Sequence, residues 1–478
     1  MFEFRKFFTT KHDYLPFQYR KDGKGSKLVV WSRWYWFIQS FFVGIPYPLY
    51  YSKFKIHGWE NVPKDKPIIF AESHRNAFMD SLACVATHST QIWQLARGDA
   101  FKNPIIGKLF IFWHILPIWR ERDEPGSDTQ EKNQNTFEAC YDLLAHRASI
   151  GIYPEGDCIN ENHIRPIKKG ICRIAFGAEE KYNYDLDIQI VPVGVSYTAA
   201  DKFKHWAIIH FGKPVAVKDY IETYKATPAP AINNLKNDIE KAMQSTVVHI
   251  KKTPLFHEKD QLVTIYARHK ILSEGRRYDP LSKLQEEQKT VSLVEQAEAF
   301  DHESLQHLPH DIKTYNGLMQ KFNFRENTFD PAKQHPLSIF FMGFYFVIMF
   351  PLFIYGSVIN YLPYIIPQKI VNKKIQQKIF HSSIRYVISL FMFTFYYVLL
   401  FFIIWEILGS VLSALIFLVS FPIAGHIAYY YWYDLKKWRS VQRFKRKKRQ
   451  KNTDLQALLT LREKLTVMVR SFDEKLTG

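Results

Sequence analysis

Cysteine is scarce in this sequence, which has four thiols in 478 residues and no pair close enough in the chain to suggest a metal-ligand motif. Zinc-type spacings, a phosphate-cradling glycine loop and a dinucleotide fingerprint are also absent from the sequence, so we expect no metal and no tightly bound cofactor. Residues 1–27 lack the apolar core of a signal peptide. Isolated thiols and a missing signal peptide predict that the following domain stays in a reducing compartment.

Acidic residues are missing from two segments near the C-terminus, which leaves both strongly basic. Lys436 to Lys451 contains ten basic residues, more than half of the formal net charge of +18, and Gln368 to Arg385 contains five. Basic segments beside apolar spans are typical of the cytoplasmic flank of a membrane protein and attract anionic lipids. No zinc spacing or aromatic RNA-binding pattern accompanies them in the sequence. We therefore expect membrane lipids as partners and no nucleic acid.

Long apolar runs are confined to the C-terminal part of the chain, between Leu337 and Tyr433. At about 20 residues per crossing, Tyr386 to Tyr431 predicts two helices that turn at Gly409 and Ser410. The segment before them, Leu337 to Ile366, contains internal prolines and precedes the basic loop. If the loop and the tail both lie on the cytoplasmic side, this segment must return to its starting side. We therefore expect a re-entrant hairpin or two short, kinked helices, and an even number of crossings.

The remaining chain divides into segments of different composition. Leu28 to Tyr51 is rich in tryptophan and tyrosine, which favour the lipid headgroup zone, so it predicts an interfacial or shallowly embedded helix in preference to a full crossing. From Phe54 to about Val217, β-like runs alternate with amphipathic segments, which predicts an α/β fold with active loops at strand ends. The predicted organisation is a basic N-terminus with the interfacial helix (1–52), an α/β domain (53–217), a helical linker or cap (218–335), a transmembrane region (336–433) and a basic tail with an amphipathic helix (434–478).

Two chemically distinctive loops follow strand-like runs in the α/β domain. Pro67 to Phe70 leads into a loop with His74, and Asp80 follows on a predicted helix. A histidine with a carboxylate partner is a typical proton-transfer pair, because the carboxylate fixes the imidazole tautomer and stabilises the imidazolium that forms. A second run, Ser149 to Ile152, leads into Glu155. Each loop therefore places a catalytic type of side chain at a strand end.

Four blocks in order resemble the glycerolipid acyltransferase superfamily, which contains the glycerol-3-phosphate and 1-acylglycerol-3-phosphate acyltransferases. The blocks are Ser73-His74 to Asp80, Pro117-Ile118-Trp119-Arg120, Tyr153-Pro154-Glu155-Gly156 and Val191-Pro192-Val193-Gly194-Val195. One such block recurs by chance, whereas four in order at plausible separations are specific. The resemblance covers roughly residues 54–217, under half of the chain. It implies an acyltransferase domain with a mixed sheet flanked by helices.

The resemblance also implies roles for individual residues. His74 would be the general base that takes the proton of an acceptor hydroxyl as it attacks an acyl thioester, with Asp80 orienting the imidazole. Arg120 matches the family arginine that is assigned to the acceptor phosphate, and guanidinium donors suit that group. Glu155 and Gly156 match the block that organises acceptor binding, where glycine lets the backbone approach closely.

The sequence departs from the commonest family pattern in two places. Five residues instead of four separate His74 from Asp80, as in a branch that contains glycerol-3-phosphate and dihydroxyacetone-phosphate acyltransferases. On a regular helix, two side chains that are six residues apart point in rather different directions. His74 is therefore expected in the loop ahead of the helix. Asp157 follows Gly156 where Ser or Thr and then Arg are common, which adds negative charge near the expected phosphate. Lys168, in a stretch like the family's Pro-Leu-Lys-Gly continuation, is expected to restore positive potential.

These features together predict a membrane-bound O-acyltransferase of phospholipid biosynthesis. The expected acceptor is glycerol-3-phosphate, the expected donor is an acyl-CoA or acyl carrier protein thioester, and no cofactor is expected. A lysophosphatidate acyltransferase is the first alternative. A non-catalytic, membrane-anchored lipid-binding scaffold is the alternative from another class, because the residues after Gly156 are altered. We expect a multi-pass protein with its catalytic domain on the cytoplasmic side, and the bacterial inner membrane is favoured.

Overall fold

The computed structural model describes residue 37 and residues 39–87, 92–120, 129–300 and 305–477. Two compact units divide the chain. One runs to His249 and includes Lys378–Ser383, and the other comprises Ile250–Gln377 and Ile384–Gly478. Most of the interfacial helix predicted over Leu28 to Tyr51 lies outside the described residues. The described part contains a π-helical turn, Ser40–Gly44, and a short helix α1, Pro46–Tyr50.

The first unit is built on a sheet that has eight strands among the described residues. Strands β1 to β8 are Lys53–His57, Ile68–Glu72, Ile92–Arg97, Ile115–Ile118, Ser149–Ile152, Gln189–Tyr197, Trp206–Phe211 and Val215–Ala216. Their order across the sheet is β1-β7-β6-β2-β5-β3-β4, and β8 pairs with β6. β7 and β8 run antiparallel to β6, whereas the remaining pairs are parallel. The predicted mixed α/β sheet is therefore confirmed.

Helices cover the sheet and complete its core. Helices α2 to α7 are Phe78–Thr87, Pro104–Phe112, Thr129–Ala145, Gly170–Lys181, Ile221–Ala226 and Pro228–Thr246. β2 is buried along its whole length, as expected for an apolar strand that is covered on both faces. Helix α7 packs its apolar side into the same core through Ala231, Leu235, Ile239 and Met243. The compact unit therefore extends beyond residue 217, where the sequence predicted its end, because this helix is part of its core.

The second unit is helical in its described residues. Helices α8 to α15 are Phe256–Ser273, Pro280–Phe300, Leu308–Phe322, Pro331–Gln334, Pro336–Lys374, His381–Leu408 (in this unit from Ile384), Val411–Arg449 and Thr453–Thr477. α15 packs on α8, α9 and α10 and buries an apolar face of Leu455, Leu458, Leu465, Val469 and Phe472. The amphipathic helix predicted in the tail is thus present and packs on its own chain.

Three helical stretches are long and apolar enough to cross a membrane: Pro336–Lys374, Lys378–Leu408 and Val411–Arg449. The hairpin or pair of short helices predicted over residues 337–366 is wrong, because this segment lies inside the single helix α12, with Pro351 and Pro363 within it. A proline removes one backbone donor, and apolar helices tolerate this loss where neighbouring groups compensate. The predicted turn between the last two helices is confirmed at Gly409, whose φ is 61°.

Helices α12 and α14 pack against each other in antiparallel directions. A Cβ atom added to Gly356 would lie 2.1 Å from the Ala424 carbonyl oxygen, so only a residue without a side chain allows this approach. Nearer the start of α12, Trp438 Nε1 donates to the Ile339 carbonyl at 3.1 Å. The start of α12 therefore lies beside the basic half of α14, so both are found at the same end of this helix pair.

Candidate active site

Two loops that follow neighbouring parallel strands form the candidate active site. β2 and β5 pair in parallel register from Ile68 opposite Ser149 onwards, so the loops after them leave the same edge of the sheet. The His74 backbone N–H, in the first loop, donates to Glu155 Oε1, in the second loop, at 3.0 Å. The strand ends of an α/β sheet are where such folds usually place their sites. The fold thus brings together two sequence blocks that are distant in the chain.

His74 and Asp80 form a hydrogen-bonded pair, in which His74 Nδ1 lies 3.1 Å from Asp80 Oδ2. The same oxygen accepts the backbone N–H groups of Arg75 at 2.7 Å and Asn76 at 2.6 Å. Helix α2 begins only at Phe78, so His74 lies in the loop ahead of the helix, as its offset from Asp80 predicted. The Asp80 side chain is fully buried, whereas 21% of the His74 side chain is accessible. The Asp80 carboxylate thus holds the loop of His74, Arg75 and Asn76 through hydrogen bonds, while the His74 imidazole stays accessible.

Tyr197 holds the second oxygen of the Asp80 carboxylate. Its hydroxyl donates to Asp80 Oδ1 at 2.7 Å, and burial raises the pKa of Tyr197, so this hydroxyl keeps its proton. An ionised carboxylate has only acceptors, which matches the four donors around Asp80. If His74 donates to Asp80 through Nδ1, its Nε2 nitrogen is left as a hydrogen-bond acceptor. Tyr197 was not predicted as a site residue.

Tyr153 and Glu72 support the histidine ring. The Tyr153 ring stacks on the His74 ring, with 4.2 Å between centroids and 30° between planes. The Tyr153 hydroxyl lies 2.7 Å from Glu72 Oε2 and 2.8 Å from Ser81 Oγ. Gln94 Nε2 donates to Glu72 Oε1 at 2.8 Å. Burial raises the pKa of Glu72 to about 8, and the hydrogen bonds from Gln94 and Tyr153 oppose that rise only in part.

Cationic side chains surround the turn at Gly156. This glycine has a φ of 74°, which it adopts without strain. Arg120 Nη1 donates to the Gly156 carbonyl at 2.6 Å and lies 3.6 Å from Asp157 Oδ1. Arg165 Nε donates to Glu155 Oε2 at 3.2 Å, and its guanidinium also donates to the Asp157 carbonyl. The added negative charge of Asp157 is thus met by a neighbouring arginine.

Glu155 and Lys168 occupy the same turn in different ways. Glu155 is buried, and besides the His74 N–H its oxygens accept the backbone N–H (3.1 Å) and the Nε–H of Arg165, so it joins the two loops from within. Lys168 is exposed, and its backbone N–H donates to the Pro154 carbonyl at 2.7 Å. Through these contacts all six predicted site residues lie around one edge of the sheet.

Cys158 lies beside the His74–Asp80 pair, and ligand-type atoms of the three residues are within 4.8 Å of one another. A metal site needs a thiolate and carboxylate lone pairs that face the ion. Here burial raises the pKa of the Cys158 thiol, and its sulfur accepts the Ala77 backbone N–H at 3.0 Å. Asp80 Oδ2 already accepts backbone N–H groups. This donor set fits a hydrogen-bonded loop better than a metal centre.

The His–Asp loop and most strands of the sheet lie within a stretch that matches a known family. Residues 53–196 match the family model described as Acyltransferase. The match spans the blocks that contain His74, Arg120 and Glu155. The resemblance that the sequence blocks predicted is therefore confirmed.

Particular relatives are named as glycerolipid acyltransferases. Glycerol-3-phosphate O-acyltransferase 1 of Saccharomyces cerevisiae is 24% identical over 258 residues, which are 52% of this chain and 33% of the relative. Glycerol-3-phosphate O-acyltransferase 2 of the same yeast is 25% identical over 196 residues, which are 41% of this chain and 25% of the relative. The 1-acyl-sn-glycerol-3-phosphate acyltransferase of Bacillus subtilis is 28% identical over 122 residues, with shares of 25% and 55%. The chain thus matches only a third and a quarter of the two yeast relatives' lengths.

One solved structure is similar to part of the chain. It is the 1-acyl-sn-glycerophosphate (LPA) acyltransferase of Thermotoga maritima, which is 15% identical and has a TM-score of 0.30. The similarity covers 43% of this chain and 78% of that chain.

Proposed function

We propose that this protein is a membrane-bound O-acyltransferase that moves a fatty acyl group from a thioester to a hydroxyl of glycerol-3-phosphate. The observation that carries the proposal is the His74–Asp80 hydrogen bond of 3.1 Å at a strand end, within residues that match the Acyltransferase family model. The yeast relatives, which are named glycerol-3-phosphate O-acyltransferases, support this acceptor. The proposed roles are a general base for His74 and an orienting carboxylate for Asp80.

In the proposed reaction, His74 Nε2 takes the proton of the acceptor hydroxyl while the hydroxyl oxygen attacks the thioester carbonyl. The C–S bond then breaks, and the imidazolium returns the proton to the leaving thiolate, so an ester and a free thiol are formed. Asp80 stabilises the imidazolium through its contact with Nδ1. No acyl-enzyme is needed in this sequence of steps. Cys158, the nearby thiol, has a pKa raised by burial and is therefore a poor nucleophile.

The acceptor phosphate is proposed to bind at the Gly156 turn. Arg120 offers guanidinium donors there with 21% of its side chain accessible, and Lys168 adds a second, exposed positive charge. A phosphate dianion suits guanidinium and backbone N–H donors. Asp157 lies 3.6 Å from Arg120 Nη1, so the phosphate would compete with this carboxylate for the arginine. The donor is proposed to be acyl-CoA or an acyl carrier protein thioester, with no cofactor.

Lysophosphatidate is the second candidate acceptor. The Bacillus relative, which is named a 1-acyl-sn-glycerol-3-phosphate acyltransferase, favours it. Both acceptors offer one phosphate ester and one reactive hydroxyl, so the same base and the same cations would serve either. They differ in the acyl chain that lysophosphatidate already carries.

The membrane is proposed to hold the lipid product and the acyl chain of the donor. Three helical stretches of sufficient length and apolarity support this location. We further propose that the end of the α12–α14 pair with the basic residues 436–451 faces the cytoplasm, since basic flanks favour that side. The relatives come from yeast as well as Bacillus and give no preference for the bacterial inner membrane.

The test is acyl transfer by the full chain, purified in nanodiscs and supplied with a radiolabelled acyl thioester. Glycerol-3-phosphate and lysophosphatidate are offered separately, with glycerol as a control that lacks phosphate. The proposal predicts lysophosphatidate as product from the first acceptor. Product only from lysophosphatidate would select the second candidate, and thioester binding without product from any acceptor would favour a lipid-binding scaffold.

A further inference from the structure

We propose that Glu72 and Tyr153 form a positioning pair for His74, and that Glu72 performs this task as an un-ionised acid. Tyr153 contacts the imidazole directly, and Glu72 acts on the imidazole through Tyr153. The inference rests on the proposed role of His74 as the base, but the protonation of Glu72 is testable without turnover.

The geometry connects Glu72 to the histidine in two steps. Glu72 is the last residue of β2 and is fully buried, and its Oε2 lies 2.7 Å from the Tyr153 hydroxyl. The Tyr153 ring stacks on His74 at 4.2 Å. A ring held on one side of the imidazole restricts its rotation, while Asp80 fixes its Nδ1 edge. The face of a tyrosine ring also favours the imidazolium over the neutral imidazole.

The polar groups that the structure describes as interacting with Glu72 lie on β3, on α2 and directly after β5, and none of these groups is a cation. Gln94 on β3 donates to Oε1, and Tyr153 lies after β5. From α2 come the Cys84 thiol, which hydrogen-bonds to Glu72, and the negative charge of Asp80. Burial is the largest cause of the raised pKa of Glu72, which is about 8, and Asp80 adds to it. An uncharged carboxyl group is therefore the dominant form at neutral pH.

An un-ionised Glu72 sets the direction of the hydrogen bonds between Glu72, Tyr153 and Ser81. If Glu72 is un-ionised, its Oε2 donates to the Tyr153 oxygen 2.7 Å away, and the Tyr153 hydroxyl is then available to donate to Ser81 Oγ, 2.8 Å away. Ionisation reverses this chain, because the carboxylate has no proton to donate and must accept from Tyr153. It also places a second negative charge in the buried region that contains Asp80. Raising the pH therefore changes the hydrogen bonds of Tyr153, whose ring stacks on His74.

Gly151 leaves space for the buried side chains of Glu72 and Gln94. It lies opposite Phe70 on β2 and opposite Gln94 on β3. A Cβ atom at Gly151 would lie 2.4 Å from both the Gln94 amide and Glu72 Oε1. The glycine in this apolar strand thus leaves the volume that the two polar side chains fill.

The first measurement is the pH profile of kcat/KM for the full chain in nanodiscs, using the wild type, Glu72→Gln and Glu72→Ala. The wild type should lose activity as the pH rises through about 8. Glu72→Gln, a neutral side chain of the same shape, should keep the pH 7 value within about threefold and lose this alkaline decline. Glu72→Ala should fall by roughly tenfold or more at all pH values, because the Tyr153 contact is gone. Glu179→Gln, at another buried acid that accepts the backbone N–H groups of Leu186 and Ile188, should show the wild-type profile.

The second measurement is the melting temperature as a function of pH, which does not depend on catalysis. The pKa of Glu72 is raised in the folded state, so its stabilising protonation is complete below the ordinary carboxyl pKa and is lost as the pH rises through about 8. Glu72→Gln does not lose stability in this way. Its melting temperature should therefore rise relative to that of the wild type between about pH 5 and pH 8. Parallel melting curves and identical activity profiles would overturn the proposal. If no acceptor is turned over at all, the melting comparison still decides the state of Glu72.

Discussion

Replacing Asp80 with asparagine removes one negative charge from the candidate active site and keeps the shape of the side chain. The carboxylate has four donors: the backbone N–H groups of Arg75 and Asn76, the imidazole of His74 and the hydroxyl of Tyr197. An asparagine whose oxygen takes the place of Oδ2 still accepts from the first three. Its amide nitrogen then takes the place of Oδ1 and donates to Tyr197, because a hydroxyl can also accept. The hydrogen-bond pattern therefore survives and the charge does not.

The two consequences of Asp80→Asn differ strongly in size. Stability should fall by about 1–3 kcal/mol, because charge-assisted hydrogen bonds become neutral ones. Turnover should fall by roughly 10²–10⁴-fold, because the amide does not stabilise the imidazolium. Both are measured in nanodiscs, with kcat compared at temperatures where each variant is fully folded. Tyr197→Phe is the matched control, since it removes one hydrogen bond to Asp80 and keeps the charge, and it should cost less than about tenfold.

A small effect would refute this reasoning. If Asp80→Asn kept turnover within about threefold of the wild type, while Asp80→Ala unfolded the domain, Asp80 would be a loop-closing residue only. In that case the imidazolium would not form in the rate-limiting step, and His74 would lose its proposed partner.

Other substitutions test the acceptor site and the packing. Arg120→Ala should raise the KM for the acceptor by about tenfold or more. Asp157→Asn should lower the KM for the acceptor, because the phosphate no longer competes with a carboxylate for Arg120. The KM for the thioester serves as the internal control. Gly151→Ala should destabilise the protein by about 1–3 kcal/mol and reduce turnover, because its Cβ meets Glu72 at 2.4 Å, and thermal melting and kcat measure the two effects. Gly356→Leu should lower the melting temperature in nanodiscs, since the added side chain meets Ala424, and an unchanged melting temperature would contradict the antiparallel pair.

The contact between His74 and Asp80 was predictable from the sequence because both residues belong to one short loop and helix. The offset between His74 and Asp80 also predicted that the histidine precedes the helix, and Asp80 proves to be the acceptor that ends the loop. By contrast, the supporting contact joins Glu72, at the end of β2, to Tyr153, which directly follows β5. Such a contact depends on strand order and register, which the local pattern of residues does not encode.

The elements of the fold were predictable to different degrees for physical reasons. The buried run of β2 is apolar and therefore visible, whereas β1 is an edge strand with two lysines and only half-buried residues, so its pattern is weak. Residues 337–366 were predicted to turn back because of their prolines and of the charges that follow. The helix α12 runs on, and its antiparallel contact with α14 puts the basic tail beside the start of α12 without a hairpin.

The end of the first unit was also misplaced, for a similar reason. Helix α7 follows a polar stretch and has charged residues on one side. This pattern predicted a linker. Its buried residues Leu235 and Ile239 show that it closes the core. Whether an amphipathic helix belongs to a domain depends on which surface its apolar side meets, and this is a tertiary property.

The most direct test of the account is transfer of a labelled acyl group to glycerol-3-phosphate by the wild type, by His74→Ala and by the control His146→Ala, at an exposed histidine. Thioester binding is measured in parallel for each. The account predicts that His74→Ala loses turnover by about 10²-fold or more and still binds the thioester, while His146→Ala keeps both. Undiminished turnover in the folded His74→Ala variant would contradict the role of His74 as the base.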